Sequence, residues 1–269
     1  MKITTLLTAS LGLLALAACT DTDFEATQPN RNTVSSLAGD FSRSLIVGDF
    51  LYGVDAVNVL TFDISDRGAP ELVDRTPIGL AVETIYHHDG NLFIGSRSGM
   101  YIYTISRSGV PVRRGDFQYA NVPGVDVEPC DPVVAEGTTA YASLYTGDNT
   151  ATQPCGDRTA DFQTIVVLDV ADLDNPRLVN THDTPTPRGL AVADDVLFVC
   201  NNDNGLTVYD VSDRTAFQTL DRVLGINAWD AMIDSDNRLV VVSSDEVIQY
   251  DITDPSDLRE ISRISYPQS

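Results

Sequence analysis

A chain of 269 residues has room for one large all-β domain or two small ones, and 43% hydrophobic residues suffice for a sizeable core. Near-neutral mean hydropathy excludes a polytopic membrane protein. Thirty-two Asp and seven Glu against sixteen Arg and a single Lys give a formal charge of -22, which excludes the basic stripe that nucleic-acid binding requires.

The first eighteen residues read as a signal peptide. Lys2 supplies the positive start, and Leu6 to Leu16 is an apolar run too short to span a bilayer comfortably. The run ends in Leu16-Ala17-Ala18-Cys19, which resembles the lipobox of bacterial lipoproteins. That resemblance implies cleavage before Cys19 and lipidation of its thiol, so the protein is expected to be exported and held at a membrane surface. Thr20 after the cysteine favours the outer membrane or the cell surface. Residues 19–40 are polar and without periodicity, and they read as a flexible tether with a reach of about 25 Å. Residues 41–269 form the remaining domain.

Within that domain one unit recurs. Leu60-Thr61-Phe62-Asp63, Val166-Val167-Leu168-Asp169, Thr207-Val208-Tyr209-Asp210 and Ile248-Gln249-Tyr250-Asp251 share a pattern, and Tyr101-Ile102-Tyr103-Thr104 carries Thr where the others carry Asp. The marker positions 63, 104, 169, 210 and 251 are separated by 41, 65, 41 and 41 residues, so one repeat holds an insertion of 24 residues. Around each marker the alternation is that of strands. Two strands precede the marker strand and one follows it. The expected fold is all-β, a single five-bladed β-propeller with four antiparallel strands per blade. Each blade has its own four strands, so no strand need be shared between the termini. The marker Asp side chains are expected to accept backbone N–H groups in the turns that follow.

The marker strands, with Leu173-Asp174-Asn175-Pro176 and Asp254-Pro255 after two of them, resemble the LVIVD repeat from about Arg43 to Ile264. The resemblance implies a propeller on a lipid anchor and brings no activity with it. Blade 2 departs by lacking the marker Asp, and blade 4 by having Arg214-Thr215-Ala216 where Asp-Pro is usual.

In a propeller the first strand of each blade lines the central channel. Alignment of the repeats places Arg43, Glu83, Asp131, Arg188 and Asp230 near the starts of these strands, converging at one mouth. The plainer alternative is that these charges pair with one another and cap the mouth. Cys130 and Cys155 flank a polar insertion in blade 3 and are expected to form a disulfide, contributing about 3 kcal/mol. Cys200 reads as an inert core thiol. His87 and His88, adjacent on a strand, face opposite sides and make a poor metal pair. Asn201–Gly205 and Asp234–Asn237 read as tight turns, with calcium the lesser alternative, and no other cofactor is expected.

The function expected from sequence is a non-enzymatic, monomeric envelope lipoprotein, binding a protein, peptide or glycan through the channel-mouth face. The alternative is a metal-dependent, lactonase-like propeller hydrolase. The acid excess reads as a solvated surface of the kind tolerated in salt-rich surroundings.

Overall fold

The computed structural model describes residues 44–55, 57–79, 82–125, 132–145, 149–150, 153–154, 163–234 and 236–266. These form five four-stranded antiparallel sheets arranged as the blades of a β-propeller. Blade 1 holds β1 (Ser44–Val47), β2 (Phe50–Val54), β3 (Asn58–Asp63) and β4 (Glu71–Pro77). Blade 2 holds β5 (Val82–His88), β6 (Asn91–Ser96), β7 (Gly99–Ile105) and β8 (Pro111–Gln118). Blade 3 holds β9 (Val133–Glu136), β10 (Thr139–Tyr145), β13 (Gln163–Asp169) and β14 (Arg177–Asp183). Its insertion carries a two-stranded ribbon, β11 (Asn149–Thr150) with β12 (Gln153–Pro154). Blade 4 holds β15 (Leu190–Ala193), β16 (Val196–Cys200), β17 (Leu206–Asp210) and β18 (Gln218–Val223). Blade 5 holds β19 (Ala228–Ile233), β20 (Arg238–Ser243), β21 (Glu246–Asp251) and β22 (Arg259–Ser265).

The expected blade count, strand order and unshared terminal strands are all present. First strands neighbour one another in chain order, from β1 through β5, β9 and β15 to β19. They lie innermost, while the fourth strands form the exposed rim.

The marker Asp residues act as expected. Asp63, Asp169, Asp210 and Asp251 accept the N–H two residues on, at 2.8, 3.0, 2.9 and 2.9 Å. Three residues later Asp66, Asp172, Asp213 and Asp254 repeat the device. Each blade also has a register shift between its third and fourth strands, close to the marker. The bulge bends the outer strand and strengthens the blade's twist. In blade 2 the Thr104 hydroxyl instead donates sideways to Asn91 Oδ1 at 2.7 Å. The turn there is completed by Gly109, at φ 78, lying against the Phe50 ring of blade 1. A Cβ on Gly109 would sit 2.5 Å from that ring, and Tyr52 of blade 1 donates its hydroxyl to the Gly109 carbonyl at 2.7 Å.

Each blade turns one face to the blade before it and the other to the blade after. Ile85, Leu92, Ile94 and Tyr103 of blade 2 pack on Leu45, Tyr52 and Val59 of blade 1. Tyr86, Phe93, Met100 and Ile102, on the opposite face, join the core of blade 3. The two end blades are covered less well. His87, Leu92 and Tyr103 of blade 2 are buried, yet the residues at the same register in blade 1 are Ile46, 57% exposed, and the half-buried Leu51 and Phe62. In blade 5, Met232, Val240 and Val247 are likewise half-buried where blade 2 has the buried Tyr86, Phe93 and Met100. The seam between blades 5 and 1 is therefore apolar and thinly covered among the described residues.

Candidate binding face at the channel mouth

The starts of the first strands, the turns between second and third strands and the links between blades share one face. Three of the five channel-mouth residues lie there within the described structure. Arg43 and Asp131 lie outside the described residues, as do Cys19, Cys130 and Cys155. Glu83 Oε1 accepts from Arg97 Nε at 3.0 Å inside blade 2. Arg188 reaches from blade 4 to blade 3. Its guanidinium donates to the Tyr145 hydroxyl at 2.8 Å and stacks 4.3 Å from the ring centroid, while its carbonyl accepts the Ser143 hydroxyl at 2.6 Å. Asp230, 5% exposed, accepts the N–H of Ala231 and lies against Gly189 of blade 4. These contacts draw the three charges to separate neighbours.

Strand register also separates them. Thr84, Leu190 and Ala231 do not occupy one level: Ile85, Leu190 and Ala231 face equivalent second-strand residues, Ile94, Val199 and Val241. One step back lie Thr84, Gly189 and Asp230, and two steps back lie Glu83, Arg188 and Trp229. Repeat alignment by residue type thus places Asp230 one position too deep to match Glu83 and Arg188. The residue at their level in blade 5 is Trp229. Glu83 and Trp229 are each the extra residue of a bulge, between Val82 and Thr84 and between Ala228 and Asp230. A bulge re-aims a side chain that strict alternation would bury.

Trp229, the chain's single tryptophan, is 45% exposed. Its indole Nε1 donates to Asn202 Oδ1 of blade 4 at 3.1 Å. Asn202 has a left-handed backbone at φ 53 and exchanges backbone hydrogen bonds with Ala228 in both directions, at 2.9 and 3.0 Å. Beside it, Thr186 is also left-handed at φ 43, a strained conformation for a β-branched residue. Gln163 Oε1 accepts its N–H at 2.7 Å, its hydroxyl donates to the Asn201 carbonyl at 2.7 Å, and Asn204 Nδ2 donates back to that hydroxyl at 3.0 Å. The Asn201–Gly205 segment is a tight turn, as its sequence indicates, closed by Asn204 N–H on the Asn201 carbonyl. Sequence reasoning missed Trp229. The available signal was a lone tryptophan just before an inner strand.

Several other titratable groups are buried or held by hydrogen bonds. Burial, ahead of the nearby Asp230 charge, pushes the Cys200 thiol well up, as befits an unreactive core cysteine. Burial lowers His87 and His182, favouring their neutral forms. His182 stacks on Phe217 at 4.7 Å and meets Tyr209 edge-on at 5.0 Å, between blades 3 and 4. Asp234 accepts from the N–H groups of Asp236 and Arg238 and from the Arg238 guanidinium. Among the described residues, no three His, Cys, Asp or Glu side chains converge as a metal cradle.

The LVIVD repeat family matches residues 187–223, which run from the entry of blade 4 to the end of β18. The chain carries an LVIVD repeat. Comparison with curated proteins gives no match. Among solved structures, the chain is similar to a protein from Lactobacillus plantarum at 14% identity, with a TM-score of 0.61 over 81% of this chain and 69% of that one. It is similar to a functionally unknown protein from Desulfotomaculum acetoxidans at 11% identity, with a TM-score of 0.62 over 84% and 70%. It is also similar to the periplasmic gluconolactonase PpgL of Pseudomonas aeruginosa at 15% identity, with a TM-score of 0.59 over 86% and 69%. At these identities the likeness is one of fold. The matched repeat contains Arg188, Asn202 and Asn204, so the blade that carries the LVIVD pattern also supplies much of the mouth face.

Proposed function

We propose that this LVIVD propeller is a non-enzymatic binding protein of the cell envelope, held by a lipid on Cys19 and recognising a protein, peptide or glycan through its channel-mouth face. The observation that carries the reading is the fixed arrangement of Trp229, Asn202 and Arg188 on that face. The left-handed turn at Asn202 and the bulge at Trp229 position two of these side chains, and the strained Thr186 is bonded to the same turn through Asn201 and Asn204; local strain is concentrated at functional sites. An exposed, oriented tryptophan near a stacked arginine is the composition of a binding hot spot.

The test is binding of the full chain to arrayed glycans and peptides, with Arg188→Ala and Trp229→Ala beside it. Retention on one class of probe, lost in the variants, supports the reading. Equal retention by the variants removes this face from the function. Anchoring is tested separately: Cys19→Ala should move the protein from the membrane to the soluble fraction, and non-reduced peptide mapping should link Cys130 to Cys155.

The second reading, a metal-dependent lactone hydrolase, has the fold of PpgL behind it. A rise in melting temperature with one divalent cation, together with lactone hydrolysis that depends on that cation, would replace the binding reading.

A further inference from the structure

The surface around Trp229 has a narrower chemistry than the mouth face as a whole. The indole N–H is already bonded to Asn202, so what remains open is the flat apolar ring. Beside it the Asn201–Gly205 turn meets the chain again at Leu224. Gly205 has φ 81, and a Cβ there would lie 3.3 Å from Leu224 Cα and 2.0 Å from the Val223 carbonyl oxygen. Leu224 is itself 72% exposed. Among the described residues, the exposed apolar groups around Trp229 include the indole face, Leu224 and Tyr266, whose hydroxyl donates to the carbonyl of Ser243, the residue paired with Ala228. The polar neighbours of Trp229 are the amide of Asn202, bonded to the indole, and the backbone of Gly189, whose N–H donates to the Trp229 carbonyl at 2.9 Å; Asn204 lies two residues on in the same turn as Asn202, and Arg188 directly precedes Gly189.

We infer that Trp229 is a stacking platform for a neutral sugar ring. A pyranose with equatorial hydroxyls presents an apolar C–H face that matches an indole, and its rim of hydroxyls matches side-chain amides, which both donate and accept. A net charge of -22 repels polyanions, so nucleic acids and polyuronates fit poorly. The bulge at Trp229 and the left-handed Asn202 have a use on this account: they fix the plane of the ring before ligand arrives, which lowers the ordering cost of binding. The inference rests on the reading of the mouth face as a binding face and names its ligand class.

The chain's only tryptophan is its own reporter. The full chain is titrated with cellohexaose, chitohexaose and maltohexaose, followed by tryptophan emission and by calorimetry. At least one should give saturable heat with a matching change in emission. Trp229→Ala should weaken that binding about tenfold or more, the size expected for loss of one aromatic stack. Asn202→Ala, which frees the indole to rotate, should weaken it by a smaller factor with the fold intact by circular dichroism. Saturable heat with emission unchanged would place the sugar elsewhere, overturning the inference while leaving the mouth open as a binding face through Arg188. An emission change with peptides but none with any hexasaccharide would also overturn it and favour a peptide ligand. Silence toward every glycan and peptide probe would overturn both readings.

Discussion

Glu136, at the end of β9, holds the turn that opens β16 in the next blade: its carboxylate accepts the N–H of Asp195 at 3.1 Å and that of Asp194 at 2.7 Å. Both donors sit in a left-handed turn, at φ 60 and 53. One side chain thus joins blades 3 and 4 while satisfying two N–H groups that the turn leaves without strand partners. Glu136→Ala should lower unfolding free energy by about 1–3 kcal/mol, the range for hydrogen bonds to a charged group. Urea denaturation measures it, and a change below a few tenths would mean that water substitutes fully.

The same turn offers a stabilising change. Asp195 adopts a conformation that glycine reaches without steric cost, and the hydrogen bonds made at this position use its backbone. Asp195→Gly should raise the unfolding free energy by several tenths of a kcal/mol. Asp195→Ala, which retains the Cβ, should not. Equal shifts for both would show that the Asp side chain, not the backbone, governs the turn.

Gly189 is a close contact between blades 4 and 5 on the mouth face. A Cβ there would meet Asp230 Oδ1 at 2.2 Å and Asp230 Cα at 2.6 Å. Backbone cannot yield as a flexible side chain would, so Gly189→Ala should cost about 3 kcal/mol or disturb the packing of Trp229. The readouts are the denaturant midpoint and the tryptophan emission maximum. Wild-type values in both would mean that the blades separate easily at this point.

Uneven covering of the blades predicts unequal costs at equivalent positions. Leu92 of blade 2 is fully buried, while Leu51, at the same register in blade 1, faces the thin seam. Leu92→Ala should cost about 2–5 kcal/mol and Leu51→Ala less than half as much. Equal losses would show that the seam is as well packed in solution as the internal interfaces.

Acidity should act in two windows. Burial holds His87 and His182 below their ordinary pKa, so the unfolded chain binds more protons as pH falls through about 6.5, and stability declines from near pH 7 toward pH 5. Hydroxyl and backbone hydrogen bonds hold Asp63, Asp210, Asp213, Asp251 and Asp254 below the usual carboxylate range. Their contribution is present above about pH 4 and is lost below it. His182→Phe should reduce the slope of the first window, leaving the share of His87, and should not alter the second. An unchanged slope between pH 7 and 5 would rule out His182 as a source.

The sequence by itself determined the blades. The 41-residue period, the strand alternation around each marker and the Asp-rich turns are local signals, because a turn's hydrogen bonds are made by residues two or three apart. Even the exception at Thr104 was visible as a missing Asp. Three features were decided only by tertiary structure. Bulges in β5 and β19 shift which residue stands at the mouth, and a one-residue shift exchanges the sheet face a side chain occupies, so residue type alone matched Asp230 to Glu83 where register matches Trp229. The left-handed conformations of Thr186 and Asn202 depend on partners from Gln163 to Ala228, in neighbouring blades and on distant turns. Uneven burial of the end blades has the same origin, since identical strand patterns are covered or left open according to the blade that packs beside them. The repeat is written within each 41-residue unit, whereas the mouth face is made by contacts between units.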